Sequence, residues 1–164
     1  MGENEDKPSV GEDGSVVADA RPVAPEMALM TAVKMGLSTT MAKMLEHAKA
    51  QGDAKLSELV NETDDGGHTV THWAAKGGAV EVLRTLLDVG APYNRPSSDK
   101  VAMFPLHWAA TEGHLKVMRE LVDRGADTDA RDAQGCTALL IAAQYGQADA
   151  AAYLIKVMMT IRRR

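Results

Sequence analysis

The chain has 164 residues, 45% of them hydrophobic, about the size of one ordinary domain and enough to bury a core. Lys and Arg number 18 against 23 Asp and Glu, a formal net charge of −5 that argues against general nucleic-acid binding. The 4% aromatic share suits thin layers of Ala, Leu, Val and Met better than one large core, and the single cysteine, Cys136, rules out an internal disulfide and points to a reducing compartment.

Residues 1–25 hold six acids against two bases, with Gly, Pro and Ser scattered among them and no apolar periodicity, so they read as a disordered acidic arm. Met1 to Lys7 lacks a basic region followed by an apolar one, and Asp6 stands where a myristoylation site needs Ser or Thr. No secretory signal or lipid anchor is expected there.

A short helical pattern (Met27, Met30, Val33) is followed by a second one in which Leu37, Met41, Met44 and Leu45 share a face. The next stretch, with Leu56, Leu59 and Val60, predicts a small amphipathic segment that either lengthens the second helix or lies over the end of a stack.

From Asp64 onward the chain repeats itself. A shift of 35 positions pairs His72-Trp-Ala-Ala75 with His107-Trp-Ala-Ala110, Gly78 with Gly113, and Gly90-Ala91 with Gly125-Ala126. A further 33 pairs Ala109 and Ala110 with Ala142 and Ala143, Gly113 with Gly146, and Leu121-Val122 with Leu154-Ile155. Aligning Met44-Leu45 with Leu86-Leu87 adds a degenerate first copy, as the end of a solenoid requires. The fold class is therefore all-α, a solenoid of about four helix-turn-helix repeats over residues 26–63, 64–98, 99–131 and 132–161, followed by a basic tail at 162–164.

Within each unit the local signals are mechanical. Asp64-Asp-Gly-Gly67 and Asp132-Ala-Gln-Gly135 supply tight turns, while the third copy has Ala102 in the glycine place behind a longer linker, which predicts an irregular loop. Thr69 and Thr137 are helix N-cap candidates, Phe104 replaces them in the third repeat, and Pro105 follows at a tolerated first-turn position. Met158-Met159 stands where Gly-Ala ends the earlier repeats, so the last helix should run on towards Thr160. The run Ala148 to Ile161 is too short and too charged, with Asp149 and Lys156, to span a membrane.

The first helix of each unit places residues three and four apart on one face: Trp73 with Lys76 and Gly77, Trp108 with Thr111 and Glu112, Ile141 with Gln144 and Tyr145. Side by side they form a stripe suited to partner binding, since the ordinary core positions are Leu, Val and Ala. The other reading of the tryptophans is that they are core.

His68 and His72 lie close to Asp64 and Asp65, but the spacing spans a turn and a helix start, so His72 reads as structural and His68 as solvent-facing rather than as metal ligands. Cys136 has no visible activating base, and no paired carboxylates, phosphate-cradling loop or catalytic triad spacing occurs; no cofactor or metal is expected.

The Asp-x-x-Gly-x-Thr turn, the Pro105-Leu-His-Trp-Ala-Ala110 helix start, the Gly113-His114 break and the Leu-Leu-x-x-Gly-Ala ending resemble ankyrin repeats over residues 26–161. That resemblance implies an L-shaped stack of helix pairs, projecting loops, a concave face that binds partner proteins or peptides, and a buried histidine, here His72 and His107, tying adjacent repeats. Leu140 replaces it in the last copy.

A narrower resemblance is to the ankyrin domain of Asp-His-His-Cys-type protein S-acyltransferases, the palmitoyltransferases, carried by the two consecutive His-Trp-Ala-Ala copies, the long linker between them and Gly135-Cys-Thr-Ala-Leu-Leu-Ile-Ala-Ala-Gln-Tyr-Gly146. It implies that Trp108 belongs to a substrate-peptide site, with Gly77 where a polar residue would help. The chain holds no Asp-His-His-Cys sequence and no spanning helix. Two functions follow as expectations: a non-catalytic cytoplasmic interaction module, or the recruiting portion of a membrane-attached parent enzyme.

Overall fold

The computed structural model describes residues 28–161, so the acidic arm at 1–25 and the basic tail at 162–164 lie outside the described residues. Among the described residues the chain forms nine helices and no strand: α1 (Leu29–Lys34), α2 (Ser38–Gln51), α3 (Asp53–Val60), α4 (Val70–Gly77), α5 (Val80–Asp88), α6 (Pro105–Glu112), α7 (Leu115–Asp123), α8 (Ala138–Gln144) and α9 (Ala148–Ile161). None of them is long and apolar enough to cross a membrane.

Four antiparallel hairpins, α1/α2, α4/α5, α6/α7 and α8/α9, stack so that α1, α4, α6 and α8 form an inner layer and α5, α7 and α9 an outer one. The inner helices approach closely because Ala74, Ala75, Ala109 and Ala110 are at most 1% exposed and present only a methyl group to the neighbour. The outer helices supply the larger apolar groups, with Leu83, Leu86, Met118, Leu121 and Leu154 sealed between the layers. Each such side chain contributes about 1.5–3 kcal/mol by leaving water. Leu56 and Val60 do not lengthen α2: Gly52 ends it, and α3 folds back on it as a separate helix that buries both.

At the hairpin bends Gly78 and Gly113 take left-handed φ values of 68° and 74°. A side chain at Gly78 would also meet the His114 ring at 2.7 Å, so the close approach of the next repeat requires glycine as much as the turn does. His114 uses that approach to contact the Lys76 carbonyl through Nε2 at 3.0 Å, and Gln147 does the same for the Thr111 carbonyl at 2.9 Å, satisfying acceptors at the ends of α4 and α6.

The last hairpin differs from the others. Leu140, Ile155 and Met159 are 46%, 48% and 54% exposed, and Ala143 is exposed where Ala75 and Ala110 are buried. No further repeat lies over them among the described residues. With no glycine at its end, α9 runs on to Ile161.

The loop before α6 is the irregular one. Ala102 adopts φ 51°, the single non-glycine positive value among the described residues, in the place that Gly67 and Gly135 fill elsewhere. Asp99 holds it there: Oδ1 accepts from the Val101 N–H at 3.1 Å, the Ala102 N–H at 2.9 Å and the Ser97 hydroxyl at 2.7 Å. A left-handed alanine costs on the order of 1–2 kcal/mol, more than the entropy that glycine loses on folding. Ala102→Gly should therefore raise stability by roughly 0.5–1 kcal/mol in urea unfolding followed by circular dichroism; a lowered midpoint would show that the alanine methyl makes a contact worth more than its strain.

Candidate functional site

The inner face is built outward from the two buried histidines. His72 sits at the third position of α4, where Nδ1 accepts from the Thr69 backbone N–H at 3.0 Å, and Nε2 lies 2.9 Å from the Met103 carbonyl of the following repeat. A carbonyl can only accept, so Nε2 carries the proton and the ring is neutral with both nitrogens satisfied. His107 repeats the arrangement one unit on, accepting from the Phe104 N–H at 3.1 Å and donating to the Ala130 carbonyl at 3.1 Å. Phe104 thus removes the hydroxyl that would accept from the third backbone N–H of the helix, while the histidine half of the arrangement, the bond from the N-cap N–H to the ring, is kept as in the preceding repeat. Burial drives the His72 ring down to about 4, its bond to Met103 opposing this only in part, and burial lowers His107 in the same direction.

The residue after each histidine is the tryptophan, which the register turns to the inner surface. Asp64 fixes the first of them. Its Oδ2 accepts from the Trp73 indole N–H at 2.9 Å and from the Lys34 ammonium at 3.3 Å, while Oδ1 accepts from the backbone N–H groups of Gly66 and His68. Desolvation works against the charge on Asp64, but these hydrogen bonds outweigh it and hold the carboxyl at about 2.

Trp108 packs edge to face on Trp73, centroids 5.3 Å apart at 85°, and the His68 ring lies 4.7 Å from it. The Lys34 ammonium stands 4.1 Å over the Trp73 ring, and the Lys76 ammonium lies 5.2 Å from one indole and 5.5 Å from the other. Beside Trp108 a concavity of about 210 Å³ opens between Lys76, Thr111, Glu112 and Tyr145, with Val101 and Met103 of the preceding loop as its apolar wall. Among the described residues the Trp108 N–H has no acceptor, in contrast to that of Trp73.

Residues 66–98 match the family model described as Ankyrin repeat, and residues 106–155 match one described as Ankyrin repeats (many copies). The chain belongs to the ankyrin-repeat family. The matches cover α4 and α5, and then α6 to α8 with half of α9, so the inner-face tryptophans fall within the matched ankyrin units.

The ankyrin stack brings most, not all, of the sequence-predicted stripe together. Trp73 and Trp108 are half-buried, Lys76, Gly77, Glu112, Gln144 and Tyr145 are exposed, and a side chain at Gly77 would meet nothing within 4 Å. Ile141 is corrected: at 3% exposed it belongs to the core, because an aliphatic group at the tryptophan position turns into the apolar gap against α6. The Thr111 hydroxyl is half-buried and donates to the His107 carbonyl of its own helix at 3.0 Å, so it walls the concavity without offering a donor. His68 is corrected too, since its side chain is only 16% exposed and lies between two carboxylates. Lys34, Asp64 and Asp99 were missed; the four-residue interval from Asp64 to His68 was the visible signal, and the partners from other repeats left no local trace. Among the described residues no group of three or more suitable side chains could hold a metal ion.

Also missed was a larger depression of about 910 Å³ between α7 and α9, walled by Leu115, Val122, Tyr153 and Ile161. It lies between outer helices, away from the tryptophan pair.

The neutral histidines make stability depend on pH. The unfolded chain takes a proton on His72 at its ordinary 6.5, whereas the folded chain does so only at about 4. The unfolded state therefore binds more protons between those values, and the His72 contribution, complete above the upper one, is lost as pH falls through the window. The loss approaches about 3 kcal/mol, with His107 adding in the same direction. Urea midpoints at neutral pH and near the lower end of that window measure it; equal midpoints would mean that the rings accept protons in the folded state.

Proposed function

We propose that this ankyrin stack is a non-catalytic cytoplasmic binding module that holds a segment of a partner protein against Trp108 on its inner face. The observation that carries the reading is the state of that ring. It is half-buried and braced by Trp73 and His68, yet among the described residues its N–H has no acceptor, and it stands beside a concavity with an apolar wall. An aromatic group already ordered by its neighbours loses little entropy on binding, and Trp is the residue type most enriched among energetic anchors of interfaces. A segment that places an apolar side chain on Val101 and Met103 and a backbone carbonyl on the indole N–H would use both features. Lys76, Glu112 and Tyr145 border it, Gln144 is exposed on the same face of α8, and Gly77 leaves the approach open.

A second reading rests on the two His-Trp-Ala-Ala copies that resemble the ankyrin domain of S-acyltransferases: the module would recruit substrates for a membrane-attached enzyme. The half-buried ring of Trp108 beside the concavity supports it equally, and S-acylated proteins among the captured partners would distinguish it.

Two variants test the groove. Trp108→Ala removes the anchor, and Gly77→Trp fills the approach from a position with empty space around its Cβ. Partners captured by the intact chain should bind each variant roughly 30-fold or more weakly, while circular dichroism shows the helices unchanged. If both variants fold and retain every partner at full affinity, the groove is not the binding site.

A further inference from the structure

We propose that His68 is a proton-operated clasp between the loops that precede α4 and α6, and that its proton sets the shape of the groove beside Trp108. The ring lies between carboxylates from two different repeats. Its Nδ1 is 2.8 Å from Asp64 Oδ1, and its Nε2 is 3.2 Å from Asp99 Oδ2, across 31 residues of sequence. Both carboxylates are ionised. Asp64 is held at about 2 as described, and for Asp99 the bonds from Ser97, Ala102, His68 and Val101 overcome the desolvation that opposes its charge. Ionised carboxylates only accept hydrogen bonds, so contact at both nitrogens needs two N–H groups. Only the imidazolium has two.

Loss of the proton leaves one nitrogen with its lone pair facing a carboxylate, and the two contacts differ in how firmly the rest of the chain holds them. Asp64 keeps its bonds from Gly66, the His68 backbone, Trp73 and Lys34 whatever the ring does. Asp99 is anchored through Oδ1, and among the described residues its Oδ2 has the His68 ring alone. The contact to Asp99 is therefore the one released.

Asp99 is also what keeps Ala102 in its left-handed conformation, and Val101 and Met103 wall the concavity. The His72 bond to the Met103 carbonyl and the bond from the Ala133 N–H to the Val101 carbonyl pin the far side of this loop, so movement is confined to Asp99 and the bonds it accepts from the Val101 and Ala102 amides. The other charged groups around the indoles that flank the ring are Lys34 from α1, over Trp73, and Lys76 from α4, beside both indoles; Glu112 from α6 lines the concavity, and the neutral His72 ring lies 5.9 Å away. The clasp is confined to this junction, because Met103 and Cys136 stand in the place of His68 in the following repeats. Its effect on a partner rests on the groove reading above; the clasp itself does not.

The test is long-range ¹H–¹⁵N spectroscopy of the full chain between about pH 5 and 8, following the His68 ring, the Trp108 indole and the Val101 and Ala102 amides. At the acid end both ring nitrogens should be protonated. As pH rises, Nε2 should move to the position of an unprotonated imidazole nitrogen, and the indole and the two amides should shift at the same midpoint. His68→Gln should abolish those shifts, and Asp99→Asn should leave the ring titrating without them. A ring already neutral at the acid end, or one that titrates while the loop and the indole stay still, overturns the clasp even if neither variant folds. Such a failure leaves the groove untouched, since that reading is decided by the Trp108→Ala and Gly77→Trp binding measurements.

Discussion

The bond from a neutral histidine ring to a carbonyl of the next repeat is the constraint on which the rest of this structure depends. One nitrogen of His72 or His107 caps its own helix, and the other reaches across the junction, so a single ring sets both where a helix begins and how far the next one stands from it. Only the neutral tautomer with its proton on Nε2 can do both jobs. Burial, which disfavours the charged ring, enforces that form.

The inner face follows from that spacing. Once α4 and α6 are fixed side by side, the residue after each histidine is turned outward, and two indoles separated by 35 positions in sequence come to rest edge to face. The aspartates that open the loops then take on a second task. Each caps backbone N–H groups of its own turn, as Asp132 still does for Gln134 and Cys136, but Asp64 and Asp99 also meet side chains from neighbouring units. A repeat supplies the same backbone three times; the differences in a few side chains turn one junction into a site.

Periodic features of this chain were readable in advance because they are local. The paired alanines, the turn glycines, the run-on of α9 past Met158-Met159 and the placement of His72 and His107 each depend on positions within one unit. What escaped sequence reasoning depends on contacts between units. His68 looked solvent-facing because nothing near it in sequence reveals that Asp99 closes over it, 31 residues away. Ile141 looked like a groove residue because its register matches Trp108; its aliphatic side chain instead follows the apolar gap. The extra helix α3 was visible as an amphipathic segment, but Gly52, which separates it from α2, reads equally well as a tolerated interior glycine.

The loss of the histidine at Leu140 gives the stack a direction. The second and third junctions are each locked by a ring that reaches forward, whereas the fourth repeat has an exposed leucine in that place and, among the described residues, buries its inner helix on one side only. In a one-dimensional array each unit is held by its neighbours alone, so among the described residues the fourth unit, which packs on the third without a forward-reaching ring of its own, is weakly held. Backbone amides of α8 and α9 will exchange with solvent through local excursions that leave α4 and α6 closed. The tryptophan pair, bounded by a locked junction, is insulated from that fraying and keeps its geometry while the far end of the array breathes.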